Sequence, residues 1–456
     1  MLRHARSFAT FALFLSVVGL STESANASCR WTVKGKVQVR ENFTDPTGVT
    51  RDRGLKSIEV KVSGAALGRV YKSWGTVRTD TDGNFSITRT KSCSSRHFRV
   101  KIRLQHSELK VKKGDLADAS SDWIELYETG SRRNPGTLDI GTKRFTDGPT
   151  SIDQREVFGT TFFVGTELND RDNFRRALAW YVIKKVIDTF QAKGPFFDFK
   201  SRITVKFPAW SISNTSYANG IERTAFIDPS KIVDASGNFD TDEYIQTVVH
   251  EVMHLWDYDH NHGTSNWLNA VFGRGSTHNF QEQPYIAFHE GFAKYAQEDI
   301  FHEIWDWNKE SVVSRSAVSI HPFISRGQTL EDLSMVERSD IAVANGLHML
   351  TAQDIYPSSG GNLDLFTTCR SSPNVTFWDV LKVFEASPSD GFPTAWRVGK
   401  RRNGLLAFYD RAAGMLDHFT EEDKDLYLDL IDPSGTGGVN DACDSLPRSS
   451  GSAPRR

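Results

Sequence analysis

Two histidines four residues apart, with a glutamate directly after the first, have the types and spacing of a metal-dependent catalytic site. They are His250, Glu251 and His254. A helix brings residues i and i+4 onto one face, so the two imidazoles can converge on one ion, and neutral imidazole suits Zn²⁺. A catalytic zinc keeps one position open for water, whose proton a neighbouring carboxylate can remove. The spacing therefore predicts His250 and His254 as zinc ligands and Glu251 as the general base.

The residues around this triplet predict the helix that must hold it. Asp240 and Glu243 are suited to cap its N-terminus, and apolar residues follow at helical spacing. The apolar residues are Ile245, Val248, Val249, Val252 and Met253. The same pattern is also typical of a helix with two packed or surface histidines, so residues further along the chain must distinguish the two interpretations.

A second helix is predicted from Pro284 to Glu298, and it contains Glu-Gly-Phe-Ala at positions 290–293. Together, the His-Glu-x-x-His motif and this helix resemble the gluzincin metallopeptidases, the group that includes thermolysin and aminopeptidase N. The resemblance covers residues 170 to 300 and implies that Glu290 is the third zinc ligand. It also implies hydrolysis of a peptide or protein substrate. The small residues Gly291 and Ala293 predict close packing of this helix against the zinc helix.

Three features differ from that family. Thirty-five residues separate His254 from Glu290, which is more than in the aminopeptidase N pattern. Lys294 stands where thermolysin-like enzymes have an Asp that supports the ligands, and the Gly-Ala-Met-Glu-Asn motif with which aminopeptidase N binds substrate is missing. The resemblance therefore implies no aminopeptidase specificity.

Two alternatives stay open on the sequence. His260 lies at the spacing of the third ligand in the metzincins, with Asp257 where that family has a chain-turning Gly, and Asp lacks the backbone freedom of Gly. The protein could instead be a secreted non-catalytic binding protein with a vestigial zinc site, although such a site needs no base. The residue that stabilises the oxyanion is not assigned; the candidates are His302, His321, His348, His418, Tyr295 and Tyr356.

The N-terminus predicts export. Basic residues precede an apolar run from Phe8 to Leu20, and Ala25-Asn26-Ala27 is a small-residue cleavage site, so residues 1–27 are interpreted as a signal peptide. No later run reaches the roughly twenty apolar residues of a membrane span. Secretion, or a periplasmic location in a Gram-negative source, permits disulfides. We expect two of them, one in each region of the chain, from Cys29 with Cys93 and Cys369 with Cys443.

Hydrophobic periodicity predicts a multidomain α+β protein. Residues 28–145 alternate as short strands separated by turn residues, which predicts an all-β sandwich. Together with Val33-x-Gly35-x-Val37, the turn and strand at 79–87 resemble the transthyretin-like (carboxypeptidase regulatory-like) modules attached to secreted enzymes, which implies a positioning or binding role. A polar linker is predicted at 146–156 and a disordered tail at 444–456.

The catalytic domain is predicted at 157–443, as a mainly helical zincin-type domain with a small sheet. Helical spacing begins near Asn169 and stops at Gly194, and strands are predicted at 203–207 and 221–227. Pro208 marks an edge or an end of the first strand. We expect a sheet edge beside the zinc helix to bind an extended substrate through main-chain hydrogen bonds.

Charge is divided unevenly along the chain. The net charge is +11 over residues 28–145 and −14 from residue 146 onward, although the whole chain carries only −2. The basic region could contact a polyanion such as a glycan, nucleic acid or anionic lipid, or could dock on the acidic body. Intramolecular docking is the interpretation that the sequence favours.

Overall fold

The computed structural model describes the greater part of the chain between residues 27 and 431. The described residues are 27–41, 43, 50–66, 70–114, 122–128, 132, 134–147, 154–157, 160–163, 167–168, 171–209, 216–234, 236–260, 284–306, 324–325, 328–329, 336–351, 375–385 and 404–431. The signal peptide up to residue 26, the second cysteine pair and the predicted disordered tail lie outside them.

The N-terminal region is β-rich, as the alternating pattern predicts. Its strands are β1 Ser28–Glu41, β2 Arg51–Gly54, β3 Glu59–Ala66, β4 Lys72–Arg78, β5 Asn84–Ser92, β6 Arg96–Arg103, β7 Leu109–Lys112, β8 Ile124–Glu128 and β9 Gly136–Phe145. In one sheet β1 pairs with β2, β5 and β9, and the other has the order β4-β3-β6-β8. Trp31, Val33 and Val60 are fully buried between them. The predicted Cys29–Cys93 disulfide is confirmed, with 5.0 Å between the Cα atoms.

Strand β7 leaves this region and joins another sheet. It pairs in parallel with β13 (Ile203–Lys206), in a sheet with the order β14-β15-β13-β7. The outer strand β14 is Tyr217–Asn219 and β15 is Thr224–Phe226. The possibility that β13 is an edge strand is therefore wrong, because β7 covers it; Pro208 follows the end of the strand instead. Among the described strands, β14 is the outer strand on the side away from β7, and it is antiparallel to β15.

The segment after β9 also returns to the first sheet. Strands β10 (Gln154–Val157) and β11 (Thr160–Phe163) form a hairpin, and β12 (Glu167–Leu168) pairs in parallel with β9. The predicted linker thus overlaps a strand at its C-terminal end, because residues 154–156 belong to β10. Residues 148–153 of that linker lie outside the described part of the chain.

The rest of the described chain is mainly helical. The helices are α1 Arg171–Lys193, α2 Thr241–His260, α3 Pro284–Trp305, α4 Asp340–Thr351, α5 Phe377–Glu385, α6 Leu405–Met415 and α7 Glu421–Ile431, with two short strands, β16 Ile324–Ser325 and β17 Gln328–Thr329. Helices α1 and α2 lie where the sequence predicts them, and α3 begins at Pro284 as predicted but continues to Trp305, beyond the predicted end at Glu298. No helix in the described ranges is long and apolar enough to cross a membrane.

Helix α1 lies between the β-rich region and the zinc helix. Trp180 donates a hydrogen bond to the Lys56 carbonyl at 3.1 Å, and Lys184 pairs with Glu108 at 2.8 Å. On its other side, the Tyr244 hydroxyl donates to the Arg175 carbonyl at 3.0 Å. One continuous hydrophobic core therefore extends from the sandwich to α2.

Removing residues 28–145 is expected to prevent folding of the remaining chain. The deletion would expose the α1 face that packs on the sandwich and would leave β13 without β7, so buried apolar surface and backbone hydrogen bonds are lost together. Circular dichroism and thermal melting of the 146–456 fragment test this, with the intact mature chain as the control. A cooperative melt of the fragment near that of the intact chain would show that the two regions fold independently.

Candidate metal centre

The helix that holds the two histidines is fixed at its start and along one face. The predicted cap is confirmed: Asp240 Oδ1 accepts hydrogen bonds from the backbone N–H groups of Asp242 at 2.9 Å and Glu243 at 3.1 Å. The predicted apolar face is fully buried. Near the other end, Trp256 donates to the Phe197 carbonyl at 2.9 Å. The backbone that positions the imidazoles is therefore held both by its N-terminal cap and by the packing of its apolar face.

Three predicted ligand atoms converge on one point. His250 Nε2 lies 3.2 Å from His254 Nε2, and Glu290 Oε2 lies 3.5 Å and 3.4 Å from those two atoms. Zn–ligand bonds of about 2.0–2.1 Å at tetrahedral angles place two ligand atoms roughly 3.3 Å apart. The triangle therefore has the dimensions of one face of a zinc tetrahedron. In the described part of the chain, these three residues form the one group able to hold a metal ion in this way.

Helix α3 carries Glu290 to the histidines, and α4 packs against α3. A Cβ at Gly291 would lie 2.6 Å from the Asp340 carbonyl oxygen and from Val343. The small residue thus permits close approach of α4, so the expectation that Gly291 faces the zinc helix is wrong. Contact between α2 and α3 uses large rings instead, with Trp256 and Phe292 centroids 5.9 Å apart.

The electrostatics of the group favour a positive charge between its members. Burial lowers the pKa of His250 to about 4. Burial opposes the charged form of His254 too, but Glu290 outweighs it and raises the His254 pKa to about 9. The Glu290 side chain is partly buried, which by itself raises its pKa, yet the two imidazoles outweigh this and hold the pKa well below its usual value. A proton on His254 balances the negative charge of Glu290, and a divalent cation at the same place would supply a larger positive charge.

Glu251 lies beside this group and is 6% exposed. Burial raises its pKa to about 8, and the negative charge of Glu290 adds to the effect, while His254 opposes it. The charge of the Glu251 carboxyl group is therefore coupled to those of His254 and Glu290.

A second pair links the two ligand-bearing helices. His289 Nδ1 lies 2.5 Å from Asp257 Oδ2, and both side chains are almost buried. His289 precedes Glu290, and Asp257 lies one helical turn beyond His254. Sequence reasoning missed this pair, although the position of Asp257 on the same face as the histidines was a usable signal.

His260 is directed elsewhere. Its Nε2 atom lies 3.0 Å from the Asp198 carbonyl oxygen, and its ring stacks on Trp256 with centroids 4.3 Å apart. The structure therefore does not bring His260 to the other histidines. Lys294, one turn beyond Glu290, lies 3.7 Å from the buried carboxylate of Asp340. Lys294, which stands where thermolysin-like enzymes have an Asp, is thus paired with an acidic residue of α4.

The candidate oxyanion residues are not drawn together. Tyr295 and His348 are buried in a cluster with Glu298 and Asp299: Tyr295 donates to Asp299 at 3.0 Å, and His348 Nε2 lies 2.5 Å from Glu298 Oε2. His418 lies 3.6 Å from Asp379, and His302 is in the last turn of α3. His321 and Tyr356 lie outside the described residues.

The buried cluster is expected to make stability fall at alkaline pH. Burial disfavours the charged form of His348, but Glu298 and Asp299 outweigh it and raise the pKa to about 9. The unfolded value is about 6.5, so the contribution, about 3 kcal/mol at most, is complete below that pH and is lost as pH rises through the folded pKa. Glu298, Asp299 and the Tyr295 ring face the imidazole.

Urea unfolding between pH 6 and pH 10 measures this effect. The Glu298→Gln/His348→Gln variant, which removes both members of the His348–Glu298 pair, serves as the matched control. Its free energy of unfolding is expected to lack the alkaline decline assigned to His348. An identical pH dependence in both proteins would assign the decline to other groups.

Comparisons with known proteins show no relative of this chain. No family model matches it, and no curated protein matches it. One solved structure, a 9R-lipoxygenase from Cyanothece PCC8801, aligns with a TM-score of 0.16 and 16% identity, over 36% of this chain and 23% of that chain. The aligned part is thus less than a quarter of the lipoxygenase, and a likeness this low carries no argument about fold or function.

Proposed function

We propose that this protein is a secreted zinc metallopeptidase of the gluzincin type, with His250, His254 and Glu290 as ligands. The observation that carries the proposal is the triangle of ligand atoms, 3.2 to 3.5 Å on each side. The three groups come from two helices that pack directly on each other, and the donor set of two imidazoles and one carboxylate is typical of catalytic zinc. The Cys29–Cys93 disulfide is compatible with an extracellular location.

The chemistry assigned to the chain's own residues is proton transfer. When bound, Zn²⁺ polarises the scissile carbonyl and lowers the pKa of a bound water. Glu251 accepts the proton of the attacking water and later donates it to the leaving amine. A structural metal site would need no such carboxylate, so Glu251 favours the catalytic proposal over that of a non-catalytic binding protein.

The proposed position of the substrate is the outer edge of the sheet on which α2 packs. Strand β14 (Tyr217–Asn219) is the outer strand, and its first residue, Tyr217, is 44% exposed. An extended peptide can pair with such an edge through main-chain hydrogen bonds. Zinc content and hydrolysis of a mixed peptide library by the purified mature protein test the proposed function as a whole.

The Asp257–His289 pair is expected to position the ligands. Asp257→Asn weakens the charge-assisted hydrogen bond that ties α2 to α3 beside the group, and loss of such an outer partner typically costs about 10- to 100-fold in metal affinity. Chelator competition measures the Zn²⁺ dissociation constant, and the Co²⁺-loaded absorption spectrum reports the ligand geometry.

Asp259→Asn is the matched control for this prediction. It removes a comparably buried carboxylate on the same helix, which pairs with Arg223 at 2.6 Å. Zinc affinity is expected to be unchanged in this variant. If both variants weakened zinc equally, the effect would come from general loosening of α2 and not from the pair.

A further inference from the structure

The outer face of the first sheet is polar over three neighbouring strands. Lys34 on β1 pairs with Ser86 on β5 and Asp139 on β9, and Lys36 pairs with Asn84 and Thr142. Successive residues of a strand point to opposite faces, so the alternate β1 residues Arg30, Thr32, Lys34 and Lys36 share this face while Trp31 and Val33 fill the core. Hydroxyl and cationic side chains thus alternate along a surface that no described element covers.

A groove of about 540 Å³ lies on this face. It is lined by Lys34, Gly35, Lys36, Arg78, Asp80, Asn84, Phe85, Ser86, Asp139, Gly141 and Thr142. Gly141 has φ +68°, and no atom lies within 4 Å of the position a Cβ would take. A backbone conformation that favours glycine therefore keeps one wall of the groove free of a side chain. The volume is within the range typical of small-ligand sites, about 300–1,000 Å³.

The charges of the β-rich region leave an excess of cations here. Most of its described carboxylates are used in ion pairs away from the groove, namely Glu41 with Arg53, Asp52 with Arg40 and Arg144, Glu59 with Arg103, Asp122 with Lys110, Glu125 with Lys101, and Glu128 with Arg99. By contrast, Arg30 and Lys36 form no salt bridge within the described residues. The groove itself also holds the carboxyl of Asp80, whose pKa is lowered chiefly by hydrogen bonds from Asn84 and to a smaller extent by the charge of Lys36. Lys34 pairs with Asp139 at 3.2 Å, with both side chains half exposed.

Docking on the acidic body does not use this face. Lys56 pairs with Asp188 of α1 across the junction at 2.9 Å, while the other described ion pair between the regions has the opposite polarity, Lys184 of α1 with Glu108. Docking on the acidic body, the role that the charge pattern favours, thus uses little of the excess positive charge of the β-rich region. Lys36 is therefore the groove cation most available to an external anion, since Lys34 already pairs with Asp139 and Arg78 donates to the Ser57 and Gln105 carbonyls.

From this face we infer that the β-rich region binds an acidic polysaccharide. The β1 cations Arg30, Lys34 and Lys36 match carboxylate or sulfate groups repeated along a chain, because residues two apart on a strand are about 6.6 Å apart. Arg78, from β4 of the other sheet, adds a further cation at the groove. The serine, threonine and asparagine side chains between them can exchange hydrogen bonds with sugar hydroxyls. Phe85 is the one ring in the groove and is only 5% exposed, so nucleic acid bases have no platform for stacking.

Binding of the intact mature protein to heparin and to polygalacturonate, with dextran as the uncharged reference, tests this inference. Lys34→Gln/Lys36→Gln is expected to weaken binding about tenfold, since exposed ion pairs contribute about 0.2–1 kcal/mol each, and to make the salt dependence shallower. Both side chains are on the surface, so the melting temperature should stay unchanged.

The matched control is Lys61→Gln/Lys72→Gln, which makes the same charge change on the other sheet and should leave binding intact. An equal loss in the control would show attraction by net charge alone and would overturn the assignment of the groove. Absence of wild-type binding to both acidic polymers at low salt would overturn the inference, and tighter binding to duplex DNA than to either polymer would overturn the choice of ligand. None of these outcomes depends on zinc or on peptide hydrolysis.

Discussion

Glu251→Gln is expected to retain zinc and to lose about two to four orders of magnitude in the rate of peptide hydrolysis, the usual share of general acid–base catalysis. The amide has nearly the same size as the carboxyl group, and Glu251 is not one of the three converging ligands. The helix and the ligand triangle should therefore persist while the proton acceptor is removed. Zinc content and the rate at saturating substrate are measured on the same preparation.

Glu243→Gln is the matched control for that variant. Glu243 is an exposed carboxylate on the same helix, and it belongs to the N-terminal turn rather than to the ligand group. Its substitution should leave the rate within a few-fold of the native protein. Undiminished hydrolysis in Glu251→Gln would rule out the proposed mechanism while leaving the metal assignment intact.

Glu290→Ala and His260→Ala are expected to have opposite effects on zinc. Glu290 supplies the third atom of the triangle, so its removal should weaken Zn²⁺ binding by more than the roughly 100-fold cost of losing an outer partner, and should abolish activity. His260→Ala removes a ring that stacks on Trp256 and a hydrogen bond to the Asp198 carbonyl. We expect that variant to lose some stability and to keep its zinc.

Zinc content after dialysis, together with circular dichroism and thermal melting, distinguishes these outcomes. Full zinc occupancy in Glu290→Ala with loss in His260→Ala would overturn the gluzincin assignment in favour of metzincin geometry. Loss in both folded variants would show that the zinc helix must be rigid at both ends to hold the ion.

Local sequence patterns were sufficient to predict most elements and three of the four residues of the candidate site. Spacing by four residues places His250 and His254 on one face whatever surrounds the helix, and Asp240 caps that helix through hydrogen bonds to residues two and three positions later. Apolar periodicity likewise predicted α1, α2 and the principal sandwich strands. These features depend on backbone geometry within one or two turns, which a sequence pattern determines directly.

The carboxylate Glu290 was placed by family resemblance, because no local pattern relates a residue so far along the chain to the two histidines. Periodicity shows which face of α3 is apolar, but it does not show which neighbour covers that face. Only the folded structure shows that Gly291 faces α4 and that Glu290 Oε2 comes within 3.5 Å of His250.

Tertiary packing also decided which groups stay outside the site and how the regions join. Helix α2 ends with His260 against the Asp198 carbonyl, so a residue at suitable sequence spacing is directed away from the metal group. Strand β7 has the alternation of any short strand, yet it pairs along its length with β13, while on its other side it is bonded to residues 104–106 just after β6. The sequence by itself determined the helix, its two imidazoles and the adjacent carboxylate. The position of Glu290 and the shared sheet required the tertiary structure, because contacts between distant residues depend on how whole elements pack.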